Sequence, residues 1–303
     1  MTTQTFWFTV GLIATAIMVI TPLAHRAFGG ASGERAAVRL AGAVATLSFT
    51  IGSGVVAAAM AVPWFGIAAT LALNELRAIG YLSLLRRPSA AVLRPLATWV
   101  WMASGAGWLI AHRLGLEPLG FDRGITLLTV AHFHVAGLGL TALLTLTHGR
   151  RPGSTLLAAM WLHQAGMLAV AAGLTFSDHL EVAGAAAVTV ALAVWATIVV
   201  GWLRGGIRGL ARLLLVVAAV TWILPMVLAL GWALAPFLPE PVVTTFETML
   251  RYHAAPQTVG LVLCGLAGIM LTDPACENPP LADPSAHHTT REAADAVAQR
   301  THA

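Results

Sequence analysis

The sequence predicts an all-α protein, a polytopic transmembrane helical bundle of about nine spans with its N-terminus outside and its C-terminus inside the cell. Of its 303 residues, 58% are apolar and only 10% are charged, whereas soluble domains carry roughly 25% charge. The mean hydropathy is +0.80. This composition excludes a soluble globule, and it also excludes a disordered chain, which needs low hydrophobicity and high charge. Two cysteines are too few for a disulfide scaffold.

Nine apolar stretches are long enough to cross the hydrocarbon core of a bilayer, which takes about 20 residues of helix. Each is predicted to be a helix, because an unpaired backbone group in lipid is costly and the runs lack the alternation of barrel strands. The stretches cover approximately residues 5–23, 41–60, 62–84, 93–112, 125–147, 154–174, 181–203, 213–235 and 253–271.

Loop charges and tryptophans predict how the bundle is oriented. All 17 basic residues are arginine, and they are concentrated in the first, third, fifth and seventh connections. Cytoplasmic loops are enriched in basic residues, so these connections are predicted to face the cytoplasm. The composition predicts that the protein contacts the lipid bilayer and that it does not bind nucleic acid. Several tryptophans fall near predicted span ends, as in an interfacial belt: Trp7, Trp64, Trp108, Trp202 and Trp232.

The chain is predicted to have one structured domain. Residues 1–272 form the single transmembrane domain in this interpretation. After Thr272 the sequence becomes polar and rich in proline. Residues 273–303 are therefore expected to be a disordered cytoplasmic tail.

The third predicted span contains three polar residues, Asn74, Glu75 and Arg77. An ionisable group costs about 2.5 to 3.5 kcal/mol at the centre of a spanning helix, and the predicted boundaries place Glu75 near mid-membrane. These residues are therefore candidates for handling protons or an ion. The alternative is a structural bond from Glu75 to Asn74, a serine or an arginine.

Five histidines are predicted to lie in the outer half of the membrane. The direction of each helix puts His132, His134 and His163 roughly 10, 14 and 16 Å below the outer boundary, with His253 and His112 at its edge. Neutral imidazoles bind metal ions and haem iron, and they also carry protons. The five are therefore candidates for a haem or divalent-metal site, although each ring could instead bond a neighbouring helix.

The spacing of His132 and His134 restricts what the two rings can share. Residues two apart on a helix point about 200 degrees apart, so both cannot chelate one ion while the helix stays regular. They are expected to address opposite faces. Either the helix lies between two sites, or one histidine belongs to a site and the other bonds a neighbouring helix.

The string Leu127–Gly137, LLTVAHFHVAG, resembles the signature of the YndJ-like family of bacterial membrane proteins. Further agreement lies in residues 165–173, with Glu181 downstream, and in residues 252–260, so the resemblance covers about residues 120–271 and is weaker upstream. Val135 departs from the family pattern, which has an aromatic there, and so does the segment 253–257. The family has no established activity. The resemblance therefore implies a membrane protein, sometimes labelled a transporter.

The segment Val130–His134 is also similar to the helix of haem-copper oxidase subunit I in which two histidines bind two haems from opposite faces. Such subunits have more spans and a larger set of ligand histidines, including an adjacent pair within one span. No predicted span of this chain contains an adjacent pair. The similarity therefore implies at most a single haem or metal site.

No motif predicts a catalytic residue, since GxGxxG, Walker A, CxxC and HExxH strings are absent from the sequence. The leading interpretation is a transporter-like protein that handles protons or a metal ion through its outer-half histidines. A haem-binding redox or sensor subunit is one alternative, and a non-catalytic membrane scaffold is the other.

Overall fold

The computed structural model describes residues 1–89, 93–240 and 245–272, and every regular element within them is helical. The predicted tail, residues 273–303, lies outside the described residues. Nine long helices account for most of the described chain: α1 Thr3–Ala27, α2 Ser32–Leu47, α3 Val55–Ile79, α4 Leu96–Leu114, α5 Arg123–Arg150, α6 Ser154–Phe176, α7 Asp178–Arg204, α8 Gly209–Ala233 and α9 Phe246–Met270. A short helix, Tyr81–Arg86, follows α3, and residues Met1–Leu271 form one compact unit.

Seven of the helices in the described residues are long and apolar enough to cross a membrane; α2 and α4 are the two that are not among them. α2 has 16 residues and contains Glu34 near its start. α4 has 19 residues and ends with His112 and Arg113 in its last turn. The seven apolar helices indicate an integral membrane protein whose outer surface contacts the lipid bilayer.

The predicted boundary between the second and third helices is wrong. α2 covers Ser32–Leu47 instead of residues 41–60, and α3 begins at Val55 instead of residue 62. The Gly-Ser-Gly segment at residues 52–54 separates them. Gly54 has a φ of +150°, which a residue with a side chain rarely adopts. Hydropathy alone does not detect this break, because apolar residues continue on both sides of it.

α5 is the central helix of the bundle. In its most apolar 18-residue stretch 83% of the residues are buried, compared with 22% for α8. Indole N–H donors from three surrounding helices bind polar side chains at this centre. Trp64 of α3 donates to His134 of α5 at 2.9 Å, and Trp195 of α7 donates to Thr147 of α5 at 2.9 Å. Trp101 of α4 donates to Gln164 of α6 at 2.6 Å, and the Gln164 amide in turn donates to Thr141 of α5 at 2.9 Å.

Three helices depart from α-helical geometry where they meet. α1 is π-helical at Ala16–Ile20, α5 at Phe133–Gly139, and α9 at Met249–Ala254 and again at Pro256–Leu263. The segments Ala16–Ile20, Phe133–Gly139 and Pro256–Leu263 contact one another. Because π turns in helices often occur at functional sites, the region where these three segments meet is the candidate for the functional site.

α6 and α7 pack closely because glycines face each other across their interface. A Cβ atom on Gly184 of α7 would lie 2.5 Å from the backbone nitrogen of Val170 and 2.8 Å from the carbonyl oxygen of Gly166, both in α6. Small residues of this kind allow two membrane helices to approach at backbone distance. No side chain larger than hydrogen fits there without moving the helices apart.

We therefore expect Gly184→Val to lower the free energy of unfolding by about 1–3 kcal/mol, since backbone atoms cannot yield to the added methyl groups. Unfolding in mixed detergent micelles, followed by tryptophan fluorescence, measures this quantity. Gly201→Ala is the matched control, because Gly201 lies in the same helix and a Cβ atom added there would have nothing within 4 Å. An equal loss in the two variants would contradict the close packing.

Candidate functional site

Two of the candidate histidines lie within electrostatic range of a third. His132 of α5 is close enough to interact electrostatically with His253 of α9 and with His163 of α6. We refer to His132, His163 and His253 as the histidine group. His253 lies within a π-helical segment and His132 immediately precedes one, so the π turns contribute to the direction in which these rings point.

Several ring nitrogens of the histidine group have no hydrogen-bond partner. His163 is fully buried, and neither of its ring nitrogens is bonded. Nε2 of His132 is also buried without a partner. The carbonyl of Ala136 is near the His163 ring, but at a geometry that does not form a hydrogen bond. Since a buried polar atom without a partner costs about 1–3 kcal/mol, these rings do not serve merely to join helices by hydrogen bonds.

His253 is held by the backbone of α8. Its Nδ1 donates to the carbonyl oxygen of Pro225 at 2.7 Å, close to the interruption of α8 at Trp222. A Cβ atom on Gly260 would lie 2.3 Å from Cγ2 of Thr221, so α9 packs tightly against α8 at this interruption. Because a carbonyl only accepts, Nδ1 of His253 carries the hydrogen, and Nε2 of the neutral ring keeps its lone pair.

His134 points away from the histidine group. Its Nε2 accepts from the indole N–H of Trp64 at 2.9 Å, and its Nδ1 donates to the carbonyl of Val130 at 2.8 Å. Gly105 of α4 makes room for the ring, since a Cβ atom there would lie 2.5 Å from Nδ1. His134 and His132 therefore have different neighbours: His134 bonds Trp64 of α3, whereas His132 interacts with His253 and His163. Both His134 nitrogens are engaged, and the ring could bind a metal or haem iron only if Trp64 released it.

The candidate ligands do not form a metal centre by themselves. Within residues 1–89, 93–240 and 245–272, no group of three or more His, Cys, Asp or Glu side chains is arranged to hold a metal ion. The unpartnered nitrogens of His132 and His163 are suitable in type for such an ion. What the residues themselves supply is a set of neutral imidazoles that can accept and release protons.

His112 has a different environment from the other candidates. It lies in the last turn of α4, where its ring is 6.2 Å from that of Phe49. Its electrostatic neighbours are Arg113 and Arg123. Both of its ring nitrogens are buried without a partner. The five histidines predicted to share one level of the membrane thus have three kinds of environment. His132, His163 and His253 form the histidine group, His134 is bonded to Trp64, and His112 lies beside two arginines.

The mid-helix position predicted for Glu75 is wrong. α3 ends at Ile79, so Glu75 lies near the end of the helix, where its Oε2 accepts from Nε of Arg94 at 3.0 Å. The Arg94 side chain is 47% exposed, and an ion pair this accessible contributes roughly 0–1 kcal/mol. Asn74 and Arg77 are exposed on the same part of α3. The structure therefore agrees with the structural alternative, a bond from Glu75 to an arginine.

The sequence reasoning missed two side chains of the centre, Gln164 and Trp64. Gln164 directly follows His163, is 9% exposed and bonds both Trp101 and Thr141. A glutamine in the middle of an apolar span was the signal that could have identified it. Trp64 was assigned to the membrane boundary, whereas its side chain is fully buried.

Comparison with known proteins tests the family resemblance of the sequence. The model of the family described as YndJ-like protein matches residues 11–261. The chain belongs to the YndJ-like family. The match runs from α1 into α9, which extends the similarity well upstream of residues 120–271 and includes every helix that contributes to the histidine group. No curated protein and no solved structure matches the chain. The similarity to haem-copper oxidases stays a prediction.

Proposed function

We propose that this YndJ-like protein is transporter-like and carries protons through the histidine group. The observation that supports the proposal most strongly is that His163 and His253, from two other helices, lie within electrostatic range of His132, and that ring nitrogens of His132 and His163 are buried with no hydrogen-bond partner among the described residues. Such atoms are places where a proton or a proton-bearing ligand binds.

The arrangement of the three rings suggests the order of transfer. His253 and His132 are half-buried, whereas His163 is fully buried. A proton arriving at His253 is accepted at Nε2, because Nδ1 is held by Pro225. His132 then receives a proton at Nε2, and His163 is the innermost acceptor. His253 passes the proton on from the same Nε2, because its Nδ1 hydrogen stays in the bond to Pro225. His132 and His163, as neutral imidazoles, each accept a proton at one nitrogen and release one from the other, which is the ordinary chemistry of histidine proton shuttles.

The proposal places the protein in a bacterial plasma membrane with all nine helices spanning and the N-terminus outside. Its support is the arginine content of alternate connections, since basic loops stay in the cytoplasm. His132 and His253 lie in the parts of α5 and α9 that are nearer the starts of these helices. In this orientation those starts face outwards, so protons enter the group from the external side.

Proton flux into liposomes that contain a pH-sensitive dye tests the relay. We expect His163→Gln to lower the flux about tenfold or more, because an amide cannot accept and release a proton as an imidazole does. His179→Gln is the matched control, since His179 lies beside Phe237, at 4.7 Å between ring centroids, outside the histidine group. Glu75→Gln is also expected to leave the flux unchanged.

Two outcomes would contradict the relay. One is a flux through the unaltered protein no higher than that of protein-free liposomes. The other is an equal flux in the His163→Gln and His179→Gln variants. A Soret absorption band, or a metal ion bound in equal amount to the protein and lost in His132→Ala, would replace the relay with a cofactor site.

A further inference from the structure

A second polar centre lies where the connection between α2 and α3 meets the end of α4 and the start of α5. Arg113 is only 2% exposed, and its Nη2 donates to the carbonyl of Ile51 at 2.6 Å. Its guanidinium carbon lies 5.1 Å from the centre of the Phe49 ring. His112, also 2% exposed, packs near the same ring at 6.2 Å. A buried guanidinium and a buried imidazole therefore share one aromatic neighbour.

Arg123 adds a second guanidinium to this centre. It is exposed, and its Nη2 donates to the hydroxyl of Ser53. The N–H of Gly54 donates to the carbonyl of Arg113 at 2.7 Å, so residues 51–54 connect the two arginines. Arg113, Arg123 and His112 all interact electrostatically with one another. We refer to these three residues as the basic group.

No acidic side chain in the described part of the chain forms an ion pair with either arginine of the basic group. The nearest carboxylate in sequence, Asp122, accepts instead from the backbone N–H groups of Gly124 and Ile125, at 2.7 and 2.9 Å. Nε of Arg113 and both ring nitrogens of His112 are buried with no partner of hydrogen-bond geometry among the described residues, although the backbone of Arg123 lies near the His112 ring. The basic group thus combines uncompensated charge with buried polar atoms that have no hydrogen-bond partner among the described residues.

The start of α3 adds to the positive potential at the same place. α3 begins after Gly54, with no capping side chain and no acidic residue in its first turn. The N-terminus of a helix carries about half a positive charge and has free N–H donors. The start of α3 therefore lies beside the two guanidinium groups and the imidazole of the basic group. No carboxylate of the described residues pairs with these groups.

We infer that the basic group binds a phosphate-class oxyanion through Arg113, Arg123 and His112. The guanidinium fork matches the geometry of phosphate oxygens, and a helix N-terminus is a common phosphate site. The headgroup of an anionic phospholipid and free inorganic phosphate share this chemistry. The inference is independent of the proton relay, since none of its residues belongs to the histidine group.

The test uses the full chain purified in an uncharged detergent. One arm measures binding of inorganic phosphate by equilibrium dialysis, and the other measures retained phosphatidylglycerol by mass spectrometry of extracted lipid. We expect each of the variants Arg113→Gln and Arg123→Gln to weaken the binding of whichever ligand the unaltered protein binds, phosphate or phosphatidylglycerol, by about tenfold to a hundredfold. A loss of this size is the effect of one charge-assisted hydrogen bond. Because Arg123 is exposed, its replacement tests the site even if Arg113→Gln fails to fold.

Arg151→Gln is the matched control, since Arg151 also lies over an aromatic ring, that of Trp202 at 5.4 Å. It is expected to bind as the unaltered protein does. Binding in the phosphate arm alone assigns the site to free phosphate, and binding in the lipid arm alone assigns it to a headgroup. Absence of binding in both arms, or binding that survives in Arg113→Gln and Arg123→Gln, would overturn the inference.

Discussion

Replacing Trp64 with alanine is expected to lower the free energy of unfolding by about 3–5 kcal/mol, the range for large buried aromatic residues. The Trp64 side chain is fully buried between α3 and the central helix. Removing the indole ring leaves a cavity. It also removes the indole N–H that donates to Nε2 of His134 at 2.9 Å. Unfolding in mixed detergent micelles, followed by circular dichroism, measures the loss.

A second substitution separates the two contributions of Trp64. Trp64→Phe keeps most of the ring but removes the indole N–H, so it should lower the free energy of unfolding by about 1–3 kcal/mol. Trp7→Ala is the control, because Trp7 is 50% exposed and its loss should matter little in a micelle. If Trp7→Ala and Trp64→Ala were equally destabilising, Trp64 would not have the central role that its burial indicates.

Most of the fold could be predicted because hydropathy and helix length are closely linked in a membrane. The predicted stretches 125–147 and 154–174 correspond to Arg123–Arg150 and Ser154–Phe176. The α2 and α3 boundaries could not be predicted in this way. The break at residues 52–54 depends on the backbone freedom of glycine, whereas hydropathy depends only on side-chain transfer between water and lipid.

One boundary error explains two errors about the site. Starting α3 at residue 62 instead of Val55 shifts every side chain of the helix by about 10 Å along its axis, at 1.5 Å per residue. The shift placed Trp64 at the membrane boundary and Glu75 in the middle, whereas Trp64 is in the core and Glu75 is near the helix end. The predicted depth of a side chain in the membrane is therefore correct only if the breaks between helices are located correctly.

The spacing of His132 and His134 predicted that the two rings have different neighbours, but it could not identify those neighbours. The spacing of His132 and His134 is a property of helix geometry, and it requires opposite directions. The bond from Trp64 to His134 joins residues 70 positions apart in the sequence. It also depends on Gly105, which leaves the space that the ring occupies. No local pattern contains that information.

Replacing His163 with leucine is expected to stabilise the protein and abolish proton flux. Both ring nitrogens of His163 are buried without a partner, so an apolar side chain of similar size removes an unsatisfied polar group. The free energy of unfolding should rise by about 1–3 kcal/mol. Unfolding in mixed micelles and dye-reported flux in liposomes, both on the same preparation, measure the two effects.

His134→Leu is the matched control, because its ring is as deeply buried but fully bonded. That variant leaves the indole N–H of Trp64 without an acceptor and should lose about 1–3 kcal/mol of stability. Opposite signs for the two variants would mean that His163 lowers stability and is present for its chemistry, while His134 is present for the fold. If His163→Leu were as destabilising as His134→Leu, the His163 ring would have a structural partner, and the relay would lose its main support.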